Sequence, residues 1–185
     1  MAMPNPQRAL TRPEVLALPD DGMRHELFDG KLVMAPAPSR THEILVLSLY
    51  QMLQPYVMAH ALGWLSPLLA DLPLRGGQVA QPDLFVLPHL QFDEDWSNAP
   101  VPMLVVEVLS PSTARYDRGL KRRSYQKAGV PEYWIVDVEA RLIERWRPGD
   151  SRPEVALERL LWQPREDVAP LEVDINRVLE IPSAP

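Results

Sequence analysis

The chain has 185 residues, 46% of them apolar, so it is long enough for one domain with a hydrophobic core. It has no cysteine, which excludes disulfides, thiolate nucleophiles and cysteine zinc sites. Its formal net charge of −6 argues against a protein that coats nucleic acid non-specifically, because such binding depends on neutralising phosphates. The sequence contains no run of about 18 apolar residues and no signal-peptide core, so we expect a cytoplasmic protein without a membrane segment.

The first third of the chain predicts a tail, a short helix, a hairpin and a long helix. Residues 1–12 have the composition of a flexible tail, and the short helix is expected to begin at Pro13. Residues 24–34 alternate around Asp29-Gly30, a dipeptide typical of a two-residue β-hairpin turn. Residues 41–60 predict a helix capped by Ser39 or Thr41. Its apolar residues surround almost the whole axis, so we expect it to be mostly buried.

The rest of the chain predicts strands and one further helix. Short apolar runs indicate strands at residues 64–73, 79–87, 103–109, 132–137 and 141–147, with edge strands at 157–162 and 171–173. The helix is expected from 114 to 128, ended by Gly129, and a surface loop is expected at 89–102. This order predicts a single α/β domain, residues 13–185, with a mixed β-sheet flanked by helices and an N-terminal β-hairpin.

Glu107 is the one charged residue in the otherwise apolar run 103–109. Branched apolar residues flank it, yet an ionised glutamate is rarely buried unless a cation or hydrogen-bond donors replace its water. Asp83 follows Pro82 on what is expected to be a neighbouring strand. Two carboxylates at the ends of neighbouring strands can hold a divalent ion such as Mg²⁺. Two simpler interpretations stay open: Asp83 as a turn-capping residue, and Glu107 as half of a buried ion pair with Lys121.

Lys121 is placed by helical geometry, in which successive residues are about 100° apart. The stripe that we expect to be buried consists of Tyr116, Leu120, Ser124 and Ala128. Lys121 falls at the boundary of this stripe, beside Asp117 and Tyr125, from where it can reach the end of the central strand. The alternative is a helical pair of Lys121 with Asp117, which stabilises a helix by only a few tenths of a kcal/mol.

Three further groups of residues are candidates for a site. Glu26 lies on the first hairpin strand, where spacing alone favours an outward-facing carboxylate. His42 is either a proton carrier or a structural histidine, and we favour the structural role. The helix that carries Lys121 also has arginines that either contact backbone phosphates or form an ordinary solvated face. These are Arg115, Arg118, Arg122 and Arg123.

Several blocks taken together resemble the Uma-two (Uma2) family of restriction endonuclease-like proteins. The blocks are Glu26 to Gly30, Pro82-Asp83, Val106 to Thr113, Asp117 to Lys121 and Gly129 to Asp137. They occur in one order over residues 13 to 147, which makes the resemblance far more specific than any single block.

The resemblance implies the PD-(D/E)XK nuclease fold and hydrolysis of DNA phosphodiester bonds with Mg²⁺ or Mn²⁺ as cofactor. By position, Asp83 and Glu107 correspond to the metal ligands, and Glu26 completes the metal shell. Two residues after Glu107, where the superfamily's usual lysine would stand, this chain has Leu109. Lys121 then takes the catalytic role of that lysine from the helix.

The sequence leaves functions of different classes open. The first is a metal-dependent endonuclease acting on DNA, with a homodimer as a plausible form because cutting both strands commonly uses two copies. The second is a nuclease-fold protein that is catalytically weak or inactive and acts as a binding or oligomeric interaction module. The net negative charge and Leu109 favour this second function. A third is a metal-dependent hydrolase of a smaller phosphodiester.

Overall fold

The computed structural model describes residues 9–67, 70–88 and 100–181, so most of the predicted tail (1–12) and surface loop (89–102) lies outside the described residues. Its helices are α1 (Arg12–Leu16), α2 (Arg40–Ala59), α3 (Ala114–Tyr116), α4 (Arg122–Ala128) and α5 (Ile175–Val178), and a π-helical turn (Asp117–Lys121) joins α3 to α4. Its strands are β1 (Met23–Phe28), β2 (Lys31–Pro36), β3 (Gly63–Pro67), β4 (Leu72–Leu74), β5 (Gln78–Ala80), β6 (Leu84–Pro88), β7 (Leu104–Val108), β8 (Glu132–Asp137), β9 (Leu142–Trp146), β10 (Glu154–Ala156), β11 (Arg159–Trp162) and β12 (Leu171–Asp174).

The predicted hairpin is confirmed. β1 and β2 pair antiparallel, and both turn residues, Asp29 and Gly30, have positive φ (48° and 74°), as a tight hairpin turn requires. β5 pairs with the other edge of β1, which gives a four-stranded sheet in the order β2-β1-β5-β4. The Leu10 N–H donates to the Gly30 carbonyl at 3.0 Å, so the chain just before α1 contacts the hairpin turn.

The predicted mixed sheet is confirmed as six strands in the order β10-β9-β8-β7-β6-β3. β7 and β8 are parallel, because the helical segment from α3 to α4 connects them, and the other pairs are antiparallel. Side chains of β7 alternate between two hydrophobic clusters: Val106 packs with α2, while Val105 packs with Phe28 of β1 and Tyr125 of α4. By the same alternation, Glu107 faces the hairpin and α4.

Two predicted strands are each divided between sheets. The run 64–73 forms β3 in the six-stranded sheet and β4 in the hairpin sheet, and the run 79–87 forms β5 and β6 in the same two sheets. The second division falls at Pro82, which has no N–H for a sheet hydrogen bond. Asp83 therefore lies at the junction of two sheets and not within one strand.

The predicted edge strands near the end of the chain do not join the main sheet. β11 and β12 form a two-stranded sheet of their own, and β10 is the edge neighbour of β9. Their apolar side chains pack in one hydrophobic cluster with α2 and α5. The apolar pattern of the sequence therefore predicted the strands correctly but did not show which strands they pair with.

α2 begins after Ser39, whose Oγ accepts from His42 N–H. Leu47 and Met58 are exposed, so the helix is buried along one side only and not around most of its axis as predicted. Among the described residues, no helix has the length and apolarity needed to cross a bilayer.

Gly63, at the start of β3, provides a test of this sheet arrangement. Its φ is +141°, and a side chain there would collide with the Leu87 carbonyl of β6, so Gly63→Ala should lower the free energy of unfolding by more than about 1 kcal/mol. Gly119 has a helical backbone with open space around it, so Gly119→Ala should keep or raise stability, by up to about 1 kcal/mol. Urea denaturation of both variants measures the difference, and equal effects would contradict the β3–β6 packing.

Candidate active site

A cluster of buried charged side chains lies where the hairpin sheet, the main sheet and the helical segment before α4 meet. Five elements contribute to it: β1, the first turn of α2, the β5–β6 junction, β7 and the π-helical turn. The cluster consists of Arg24, Glu26, His42, Asp83, Glu107, Asp117 and Lys121. We refer to these seven residues as the charged cluster.

Three nitrogen atoms lie close to the carboxylate oxygens of Asp83. Its Oδ1 lies 2.9 Å from both Arg24 Nη1 and His42 Nε2, and its Oδ2 accepts from the Val108 N–H at 2.8 Å. Burial alone raises the pKa of Asp83, but the hydrogen bonds from His42 and Val108 and the charge of Arg24 outweigh it. The pKa of this carboxyl lies below its ordinary value, so Asp83 is ionised at neutral pH.

Lys121 is surrounded by carboxylates. Its Nζ lies 2.7 Å from Glu26 Oε2, 3.0 Å from Glu107 Oε1 and 3.3 Å from Asp117 Oδ1. Burial lowers the pKa of a lysine, but here the three carboxylates reverse the effect and raise the pKa of Lys121 above its ordinary value. The side chain is therefore an ammonium ion in the interior of the protein.

Glu107 is in the opposite situation from Asp83. Its Oε1 accepts from Lys121 and from the Tyr125 hydroxyl at 3.2 Å. Burial, together with the negative charges of Asp83, Asp117 and Glu26, raises the pKa of Glu107 well above its ordinary value despite Lys121. The two central carboxylates thus differ: Asp83 is stabilised as an anion, and Glu107 favours a proton or another cation.

The π-helical turn explains how Lys121 reaches this position. A π-turn adds one residue to a helical turn, so it rotates the following side chains relative to an ideal α-helix. Asp117, Lys121 and Tyr125 are buried, whereas Tyr116 is exposed. The predicted buried stripe was therefore wrong at Tyr116, and the predicted boundary position of Lys121 was wrong as well. The two alternatives for Lys121 occur together, since it contacts both Glu107 and Asp117.

The other sequence-predicted residues fall into two groups. Glu26 is completely buried and contacts Lys121, so its interpretation as an outward carboxylate was wrong; its Oε1 also accepts from Gln81 N–H. His42 contacts Asp83 and lies in the charged cluster. The structure places none of the four arginines in it. Arg118 pairs with Asp137 and Glu144, Arg122 stacks on Trp146, and Arg115 and Arg123 lie at the surface.

Sequence reasoning missed Arg24. It lies two residues before Glu26 on β1, and alternate residues of a strand share a face, so Glu26 was the available signal. The contact of Asp117 with Lys121 was one of the predicted alternatives. The contact of the Tyr125 hydroxyl with Glu107 was not predicted, because it joins the helix to a strand that is distant in the sequence.

The charge of the cluster fits a hard divalent cation. Glu26, Asp83, Glu107 and Asp117 carry four carboxyl groups against the two permanent cations Arg24 and Lys121. Mg²⁺ and Mn²⁺ bind carboxylate oxygens, and one such ion would balance the excess negative charge. Among the residues that the structure describes, no three acidic or histidine side chains already surround a common point as metal ligands.

Comparison with known proteins gives a family and a fold. The model of the Uma2 family, described as "Putative restriction endonuclease", matches residues 12–179. No curated protein matches the sequence. The fold is similar to a crystal structure from Anabaena variabilis ATCC 29413, described as "a putative nuclease belonging to DUF820", with a TM-score of 0.72 and 19% sequence identity. That likeness covers 92% of this chain and 97% of the other. It shows a shared mixed-sheet fold.

Replacing Lys121 tests whether its ammonium holds the charged cluster together. Lys121→Met leaves buried carboxylates without their central cation, so we expect a loss of about 3–5 kcal/mol in the free energy of unfolding. The control is Lys127→Met on α4, where the lysine is exposed and pairs with Asp29; its expected effect is below about 1 kcal/mol. Guanidinium denaturation compares the two, and similar losses would show that Lys121 is not the central cation.

The raised pKa of Glu107 predicts a pH dependence of stability. A carboxyl group whose pKa is higher in the folded than in the unfolded state contributes most stability below its unfolded pKa, and this contribution is lost as the pH rises through the folded value. Glu107→Gln lacks this titration. The variant should therefore be more stable than the wild type at pH 8, and its advantage should shrink towards pH 4, near the ordinary value of 4.5.

Thermal denaturation between pH 4 and pH 8 measures this difference. Glu154→Gln is a suitable comparison, because the hydrogen bond from Arg145 holds the pKa of Glu154 below its ordinary value, so this variant should be less stable than the wild type at pH 8. A Glu107→Gln variant that loses stability at pH 8 and regains it in acid would show that Glu107 is stabilised as an anion.

Proposed function

The chain belongs to the Uma2 family, and from this premise we propose that it is a metal-dependent endonuclease that hydrolyses DNA phosphodiester bonds. The matched residues 12–179 support one nuclease-like domain at residues 13–185. DNA as substrate makes the cytoplasm the expected location. Cleavage of both strands of a duplex makes a homodimer the expected working form.

The convergence of Asp83, Glu107 and Lys121 carries this proposal. They come from a sheet junction, the central strand and a helical turn. The Val108 N–H binds Asp83, and Lys121 binds Glu107 directly, so the three side chains are held at one end of β7. Two carboxylates can hold a metal ion, and a lysine beside them can stabilise negative charge on the reacting phosphate.

Asp83, Glu107 and Glu26 are the residues that would hold Mg²⁺ or Mn²⁺. When bound, the ion supplies a water of lowered pKa and neutralises charge on the phosphate. Arg24 and His42 fix the orientation of the Asp83 carboxylate through Oδ1, and Val108 fixes it through Oδ2. Lys121 keeps its proton at Nζ and places a positive charge where negative charge develops during phosphoryl transfer.

A second function, a nuclease-fold binding or oligomeric module without efficient catalysis, is favoured by one observation. The Asp83, Glu107 and Glu26 side chains are only 0–2% exposed, and Lys121 already contacts two of them. A protein of this kind would retain its fold and bind a partner without cleaving DNA. Cleavage assays separate the two functions.

The central test is DNA cleavage with Mg²⁺ or Mn²⁺. Wild-type protein should nick or cut plasmid and single-stranded DNA, and chelation of the ion should stop it. Asp83→Ala and Glu107→Ala should each lower the rate by at least about 100-fold, because each removes a ligand of the metal ion that neutralises charge on the phosphate. Glu132→Gln, which alters a carboxylate outside the charged cluster, should cleave at the wild-type rate.

The possible outcomes assign the function differently. Cleavage that persists in both alanine variants would remove Asp83 and Glu107 from the active site. Binding of Mn²⁺ by calorimetry, without cleavage of plasmid, single-stranded or structured DNA, would favour the binding module.

A further inference from the structure

We propose that Arg24 binds the phosphate of the nucleic-acid substrate at the entrance of the charged cluster. This inference rests on the proposed nuclease function and assigns a substrate contact to a residue outside the acidic and lysine motifs. Arg24 lies on β1, on the same face as Glu26, so its guanidinium is directed towards Asp83.

The guanidinium of Arg24 has donors to spare. Its Nη1 binds Asp83 Oδ1 at 2.9 Å, whereas its buried Nε has no hydrogen-bond partner in the described parts of the chain. Arginine has five N–H donors, and leaving a buried charged donor without an acceptor costs more than about 1 kcal/mol. A residue placed only to neutralise Asp83 would not need this unsatisfied Nε donor. A phosphate has several oxygens that can accept from it.

Exposure identifies the side from which a phosphate can approach. The side chains of Glu26, Asp83, Glu107, Asp117 and Lys121 are at most 2% exposed. Arg24 and His42 are 9% and 7% exposed, so these two residues are the members of the charged cluster nearest to solvent.

The two permanent cations of the cluster differ in their availability. Lys121 is enclosed by three carboxylates, and its Nζ contacts Glu26, Glu107 and Asp117. Within the described residues, Arg24 pairs with one carboxylate, that of Asp83, and at 9% it is the most exposed member of the charged cluster. An incoming phosphate therefore meets Arg24 before it meets Lys121. Arg24 thus links two tasks: it holds Asp83 through Nη1 and attracts the substrate that Asp83 acts on.

DNA binding at different salt concentrations tests this role without catalysis. We would measure the affinity for a fluorescent duplex oligonucleotide with Ca²⁺ present and confirm that the DNA stays intact. Each phosphate neutralised by the protein contributes about 0.9 to the slope of log affinity against log salt. Arg24→Gln should lower this slope by about 0.9 and weaken binding by roughly 10-fold or more, as expected for one charge-assisted hydrogen bond.

Arg145 gives a matched control. Its side chain is also 9% exposed, and it pairs with Glu154 and the Leu161 carbonyl. Arg145→Gln should leave the salt slope unchanged. Thermal denaturation shows whether each variant is folded. If Arg24→Gln does not fold, Arg24→Lys decides, because it keeps the charge beside Asp83 but lacks the planar fork. It should weaken DNA binding about 10-fold, the effect of losing one charge-assisted hydrogen bond.

The outcomes separate this inference from the nuclease proposal. Wild-type cleavage together with unchanged DNA affinity and salt slope in the Arg24 variants would overturn the phosphate role and leave the nuclease proposal standing. DNA binding that loses one phosphate contact in Arg24→Gln, in a protein that cleaves no DNA, would support the phosphate role and refute the nuclease. Equal slope changes in Arg24→Gln and Arg145→Gln would overturn the phosphate role, since they would reflect net charge alone.

Discussion

The ammonium group of Lys121 is the interaction on which the rest of the site depends. It is buried and contacts carboxylates from the hairpin, the central strand and its own helical turn. Removing an ammonium from water costs several kcal/mol, which only close opposite charges can offset. The three elements must therefore meet at this point, or each is left with an uncompensated charge. Hydrophobic packing of Phe28, Val105 and Tyr125 brings the same elements together, so charge and packing select one arrangement.

The position of this lysine also explains the absence of a lysine from the central strand. Leu109 follows Glu107 by two residues and packs against the hydrophobic cluster between the sheet and α4. A lysine there would replace an apolar contact with a second charge beside Glu107. The π-helical turn provides the positive charge from the helix instead. In this chain the ammonium of Lys121 contacts Glu107 from the helix.

The fold was predictable where local sequence alone determines structure. Asp29-Gly30 specifies its hairpin through backbone conformation, and the apolar residues around Glu107 specify a strand covered on both faces. The division at Pro82 was not predictable, since an apolar run on either side of a proline does not show which sheet each half joins. The same limit applies to the site. The acidic residues and Lys121 have recognisable spacing, whereas the π-helical turn and the Arg24 contact with Asp83 depend on packing between distant segments.

The balance of charge within the cluster bears on the proposed DNA substrate. The whole chain has a formal charge of −6, and the charged cluster itself has more carboxylates than permanent cations. Neither attracts a phosphate at long range. A nuclease with these properties needs a positive group at the entrance of its site. That group must not neutralise all of the carboxylates that the reaction uses. Arg24 meets both conditions, because it lies at the solvent side of the cluster and binds one oxygen of Asp83 while Glu107 remains paired with Lys121.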